Sequence, residues 1–464
     1  MPCRWSWPVL AAATFASPAL ADGPGDSSPA HSFTLAECLA LADRNFANLW
    51  AARARLAFTH AQLAETLWAP WWQWSASSVF ALSPPVQGTV IYTQSNYTSL
   101  NPSNDLNKGL QPSFNLSLNG SIPLYTFGKI GAATAVAEAN IRTSEWDMEK
   151  LRQQMHMDVR RAYFGIQLAR DAKYVIDAAL GQLDKAIASL KDKIDRGAAG
   201  VSEIDRLRLQ AYREDVASRS LQAPKGEAYG LVALRFLTGE ESSFDVRDQP
   251  LTRPDRPLVG IVQYLAAARI LRPDVNIARA TAESRRAAVD YSRAKLFPDL
   301  SLALASTFAT NMNAPSQLNV FSNDSFNQFF YSAMLSTRIS LDVLPQAARI
   351  SQAESQLEEA RSLVRQSIGT AAYEVEKAYA DALEAGGREQ AWDKAEHDTK
   401  QWMAIVSDQI DLGTAEEGAL LEPLRAFANA RIAHLYALMD YHVALSALAL
   451  TSGWDEAAPS GDPP

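Results

Sequence analysis

The chain has 464 residues and a formal net charge of −9, from 52 acidic and 43 basic side chains. No basic cluster stands out, which argues against nucleic acid as a partner. The six histidines are scattered, and neither a compact His/Cys/carboxylate ligand set nor a Gly-Lys-Ser/Thr phosphate loop occurs, so the residues offer no metal site, no cofactor and no enzyme chemistry.

Met1 to Ala21 reads as a secretory signal: Arg4, an apolar run from Val9 to Phe15, and small residues at Ala19-Leu20-Ala21. Residues 22–32 form a Gly/Pro/Ser-rich lead, expected to be mobile. After processing only Cys38 remains, so no internal disulfide can form. Its setting predicts a buried, inert thiol in a helix. No later run of 18 apolar residues exists, so any membrane crossing must be made by strands.

Residues 33–239 make a first unit. A helix is expected from Phe33 to Leu67, with Thr34 as N-cap and Glu37 three residues on. It ends at Trp68-Ala69-Pro70. Strands follow at 72–80 and 113–122, separated by a long polar loop; Phe114 to Ile122 alternates apart from Gly120, and Pro123 closes it. A long helix then begins near Gly131. Its positions Val159, Ala162, Ile166, Ala169, Lys173, Ile176, Leu180, Leu183, Ile187, Leu190 and Ile194 form a heptad seam, apolar except at Lys173. Met148, Met155 and Met157 suit such a helix better than a copper site. The seam stops at Asp195-Arg196-Gly197-Ala198-Ala199-Gly200. About 65 residues at 1.5 Å each give roughly 100 Å. Ser202 starts the return helix, with Glu203 and Asp205 in its first turn, a helix N-terminus rather than a catalytic triplet. That helix runs to about Leu237, with Pro224 as a kink.

After a linker at 240–257, residues 258–452 repeat the pattern. A shift of 216 carries Val159, Tyr163 and Gly197 onto Val375, Tyr379 and Gly413. Glu389 takes the position of Lys173, and both are read as solvated or lumen-facing charges. The strands are expected at 299–308 and 331–341, the second long helix to Asp411, and the last helix from Ala419 to Leu450. Residues 453–464 read as a disordered acidic tail. The fold class is therefore mostly α with a membrane β-barrel, built on an internal two-fold repeat. Four strands cannot close a barrel, and an open edge is not viable in lipid. Three chains give twelve strands, within the range of outer-membrane barrels. Trp68, Trp71, Trp72, Trp74, Tyr125, Phe127, Phe297, Phe329, Phe330 and Tyr331 are the candidate interface aromatics, all expected at the helix-side end.

The doubled architecture, Ser121-Ile122-Pro123-Leu124-Tyr125, Arg196 to Glu203 at the turn, Arg272-Pro273-Asp274 and Leu296 to Leu300 together resemble the TolC family of outer-membrane efflux proteins. The resemblance covers about Phe33 to Ser452; Leu341-Asp342-Val343-Leu344-Pro345 departs from it. It implies a homotrimer whose twelve-stranded barrel in outer-membrane lipid continues as a periplasmic α-barrel tunnel of long helical hairpins. Such a duct serves tripartite pumps or type I secretion, with a periplasmic adaptor and an inner-membrane transporter. It further implies adaptor docking at Arg196, Gly197, Val201, Ser202, Glu203, Leu412, Gly413 and Thr414. The family's acidic gate positions fall on Ala419, which has lost the charge, and on Glu422, which keeps it; Glu416 and Glu417 lie nearby. Glu203 occupies a first-hairpin acidic position, with Asp205 beside it. The family's closed-state tyrosine and arginine fall on Ile410 and Ala415, so that lock is missing. The rival readings are an exported coiled-coil scaffold without a pore and an exported enzyme on a helical scaffold.

Overall fold

The computed structural model describes residues 31–455 apart from 72, 85, 88–91, 94–95, 98–102, 105–108, 197–201, 241–243, 255–256, 313, 315–325 and 416. The signal, most of the lead and the tail beyond Asp455 lie outside the described residues, as do Trp72, Gly197, Val201 and Glu416.

The seam folds as its spacing requires. Helix α3 runs Lys129–Asp195 over 67 residues, about 100 Å. Val159, Ile166 and Leu183 are completely buried, whereas Lys173 is exposed. Its counterpart α8 runs Val343–Asp411 over 69 residues, with Val375 and Ala382 fully buried. The repeat thus appears twice as packing. Val159 and Tyr163 join Cys38, Ala42, Phe46 and Leu49 in one core. Val375 and Ala378 join Tyr264, Ala267 and Ala268 in the other. Cys38 is fully buried, and burial, helped by the adjacent Glu37, pushes its thiol up to about 12.

The remaining helices differ from expectation at identifiable residues. The first is divided into α1 (Leu35–Asn45) and α2 (Ala47–Trp68) by Phe46, which is extended at ψ 119°. Phe46 falls where Arg272 separates α6 (Ile261–Leu271) from α7 (Pro273–Ala294). No proline marks the first break; the buried Phe46 ring, edge-on to Phe236 at 6.0 Å, holds it. The first return helix is likewise two, α4 (Glu203–Ser220) and α5 (Gln222–Thr238). Pro224 cannot bond to the carbonyl four residues back, at Ser220, and the helical hydrogen bonding is interrupted at Leu221, which keeps helical backbone angles (φ −73°, ψ −15°). The second return helix, α9 (Leu421–Ser452), is continuous after a 3-10 turn at Glu417–Leu420. Gly239 and Gly453 close α5 and α9 with left-handed backbones.

Residues 31–33 and 454–455 are more ordered than their composition suggests. His31–Phe33 (β1) pairs in parallel with Phe244–Val246 of the linker (β4), and Phe33 stacks on Phe244 at 5.0 Å. Beyond Gly453, Trp454 is buried and Asp455 pairs with Arg160. Burial of an aromatic ring contributes more than the polarity of its neighbours opposes.

Four strands form one antiparallel sheet in the order β6-β5-β3-β2. They are β2 (Gln73–Ser83), β3 (Gln111–Tyr125), β5 (Asp299–Asn311) and β6 (Gln328–Arg338). Cross-strand pairing extends the first three beyond their alternating cores. It also moves the fourth toward the loop, since Gln328 opposes Ala309 and Arg338 opposes Asp299. Pro123 does not end β3: the strand passes it through a bulge between Pro123 and Tyr125, a place where the missing N–H is tolerated. Two-residue bridges at Val86–Gln87 with Ser103–Asn104, and Tyr92–Thr93 with Asn96–Tyr97, fall in the first polar loop. The turn from β3 into α3 is tight, with Phe127 at φ +50° and Gly128 at +86°. Phe127 pays for that backbone by stacking on Phe297 at 5.5 Å and meeting Tyr125 edge-on. The second repeat enters α8 through Asp342 without a left-handed residue, which is where its sequence departs from the first.

Candidate export duct

Register sorts the sheet into two faces. One carries Leu116 and Leu118 of β3 opposite Phe308 and Ser306 of β5, with Leu304 and Leu302 further along opposite Gly120 and Ile122. The other carries Asn115, Ser117, Asn119 and Ser121 of β3, opposite Val79, Ser77, Ser75 and Gln73 of β2. Trp74 lies over Gly120 so closely that an added Cβ would sit 2.4 Å from its ring. The single interruption of the strand's alternation is therefore the seat of an aromatic side chain.

The apolar face ends in aromatics on both sides. Trp68, Trp71, Trp74, Tyr125, Phe127 and Phe297 are exposed near the helices. Phe329 and Tyr331 were expected beside them, but β6 starts at the loop end, where Phe329 opposes Phe308. They form a second level with Phe80 and Phe308, all exposed. Phe330 points by register to the polar face. Phe114 and Tyr125 are eleven residues apart on β3. At ~3.4 Å per residue and a tilt of ~40° that is about 28 Å of height, close to the ~25 Å apolar band of a membrane barrel.

The hairpin tips lie at the other end of the long helices. Ser202 caps α4, its hydroxyl accepting from the Ile204 N–H at 3.1 Å. Glu203 is engaged by Arg206, and Asp205 lies 3.5 Å from Arg208. Arg196 pairs with Asp192 at 2.5 Å and is exposed. On the second tip Gly413 is left-handed at φ +73°, and the Thr414 N–H and hydroxyl both donate to the Gln409 carbonyl. The two tips meet: a Cβ on Gly418 would lie 3.7 Å from the Asp205 carboxyl carbon. Glu422 is exposed in the first turn of α9, with no ion pair among the described residues. Its charge reaches Tyr212 of α4, whose pKa is raised chiefly by burial. Asp205 and Glu422 thus share one end of the molecule. Glu417 begins the 3-10 turn between them.

The profile of the outer membrane efflux protein family matches residues 81–240 and 264–453. The chain belongs to that family. Solved structures share the fold. The OprN outer-membrane channel aligns at a TM-score of 0.72 and 18% identity, over 90% of this chain and 89% of that one. The Neisseria gonorrhoeae MtrE channel, described in its open state, aligns at 0.71 and 16%, over 90% and 88%. The Campylobacter jejuni CmeC channel aligns at 0.68 and 18%, over 90% and 85%. No curated protein sequence matches the chain. Its place is the outer membrane and its work is transport; the family's members are channels, not enzymes.

One feature of this efflux protein escaped the sequence reading. Glu389, expected in solvent or lumen, is 3% exposed. Arg253 of the linker approaches it at 2.8 Å, and His434 of α9 at 3.5 Å. Two turns along, Glu396 accepts from His434 Nδ1 at 2.6 Å and from Arg431 at 2.9 Å. Burial would raise the Glu396 pKa, but these bonds overcome it and hold the carboxyl below its usual range. Glu389 Oε2 and His434 Nε2 make no directed hydrogen bond, so the Arg253 contact is a close ion pair of poor geometry. Two carboxylates on seam positions facing Arg431 and His434 were the available signal; the third partner, Arg253, lies 136 residues away in the linker.

Proposed function

We propose that three copies assemble so that their sheets close a twelve-stranded barrel in the outer membrane. The long hairpins continue it as a periplasmic tunnel, the exit duct for an adaptor and an inner-membrane transporter. The observation that carries this reading is the sheet itself. It has one apolar face bounded by two aromatic levels, one polar face, and open edges at β2 and β6. Unpaired strand edges cannot stand in hydrocarbon, and copies of the same edges are the economical closure. A pore-free scaffold would have no use for such a face. Native mass measurement in detergent should give three protomers; a stable monomer with its sheet intact would overturn the assembly.

The tip geometry supports a gate at the periplasmic end. Three copies of Glu422 around one axis, each without a cation partner, would focus cations at the mouth. Glu203 contributes less to this field because Arg206 holds it. In bilayer recordings Glu422→Gln should lower cation selectivity and weaken block by multivalent cations. An unchanged reversal potential in a salt gradient would remove Glu422 from the gate and leave Glu416 and Glu417 to be neutralised next.

A further inference from the structure

The four strands carry two charged side chains, Asp299 and Arg338, which oppose each other at the helix end of the polar face. Their surroundings treat them differently. Asp299 is taken by Lys129 at 2.8 Å, whose ammonium also donates to the Phe297 carbonyl. The first acid after Arg338, Asp342, is held by Ser340 and by Arg349. Arg338 is exposed and has no ion-pair partner among the described residues. Lys129, Asp299 and Arg338 leave one positive charge per protomer, and Asp342 with Arg349 leaves none. Beyond this level the polar face is Ser, Asn, Ala, Thr, Gln and Pro123, with Val79, Phe330 and Met334 as its larger apolar members, and no charge.

We infer that Arg338 forms a threefold cationic collar where the barrel lumen meets the helical tunnel, and that it favours solutes bearing carboxylate, phosphate or sulfonate groups. This rests on the trimeric barrel proposed above. A narrow lumen with low-dielectric walls focuses the field of a few uncompensated charges. Here nothing on the same wall offsets them for the length of the strands. The sign is opposite to that of Glu422 at the other end of the duct, so each end discriminates differently.

A local probe separates the collar from the gate. Ser336 shares the polar face with Arg338, two residues and ~7 Å away. The native Cys38 is fully buried, so Ser336→Cys in the reconstituted trimer presents one reactive thiol per protomer. Its labelling rate is compared for an anionic ethylsulfonate and a cationic ethyltrimethylammonium methanethiosulfonate. A unit charge at ~7 Å in water changes the local concentration of a singly charged reagent about threefold, so removing it should lower the anionic-to-cationic ratio about sevenfold before salt screening. Arg338→Gln should produce that fall and Arg338→Lys should not. A ratio indifferent to Arg338→Gln, with Ser336→Cys freely labelled, overturns the collar alone; it is also the result if Arg338 turns outward to lipid headgroups. If Leu335→Cys reacts from water and Ser336→Cys does not, the faces are reversed and the barrel reading fails instead.

Discussion

Ser202→Trp is expected to abolish export while the trimer still assembles and reaches the outer membrane. Ser202 supplies the α4 cap through one hydrogen bond, and losing such a cap costs about 1 kcal/mol, too little to unfold hairpins packed over their whole length. An indole on the tip proposed to dock the adaptor acts on a different scale. Disrupting an interface hot spot costs about 2 kcal/mol or more, roughly thirtyfold in affinity. Val201→Trp should behave in the same way, and Ser202→Asp, which keeps a capping oxygen, should retain function. The measurement is complementation of a strain lacking the protein, read beside native mass and membrane fractionation of each variant. Normal complementation by both Trp variants would take the tip out of adaptor docking.

Arg253→Ala should loosen the second hairpin by about 2 kcal/mol. Removing one partner of a buried ion pair costs ~3–5 kcal/mol because the other charge is left behind. The Arg253 side chain is 41% exposed and that of Glu389 only 4%, so the estimate is reduced for the solvated arginine. The asymmetry provides the check. Glu389→Leu leaves an arginine that can hydrate, so Arg253→Ala/Glu389→Leu should recover most of the loss. Amide exchange along α8 and α9 would report it. Unchanged protection in Arg253→Ala would show that Glu389 already draws its compensation from His434.

Much of this fold is legible because it is written locally. The heptad spacing of α3 needs only residues three and four apart, and the alternation of β3 only residues two apart, so element type and the doubled order follow from nearest neighbours. The capping box at Thr34 and Glu37, the break at Arg272-Pro273 and the left-handed Gly413 are of the same kind. Fold family and membrane class follow from those elements in series.

What only the tertiary structure decided depends on partners far along the chain. Phe329 and Tyr331 are the exception: they open β6, the strand that follows the polar loop, so the order of elements alone places them at the loop end and not beside the helices. Trp454 is buried although its neighbours are polar, because α6 and α8 build the core that receives it. Glu389 stands at a seam position, which spacing turns inward, but its charge by itself argues for solvent. Its burial is set by Arg253, from a proline-rich linker, and by His434, from the helix that returns alongside. Periodicity encodes which face of an element is turned inward, whereas the burial and net charge of a site are set by the elements that later pack against it.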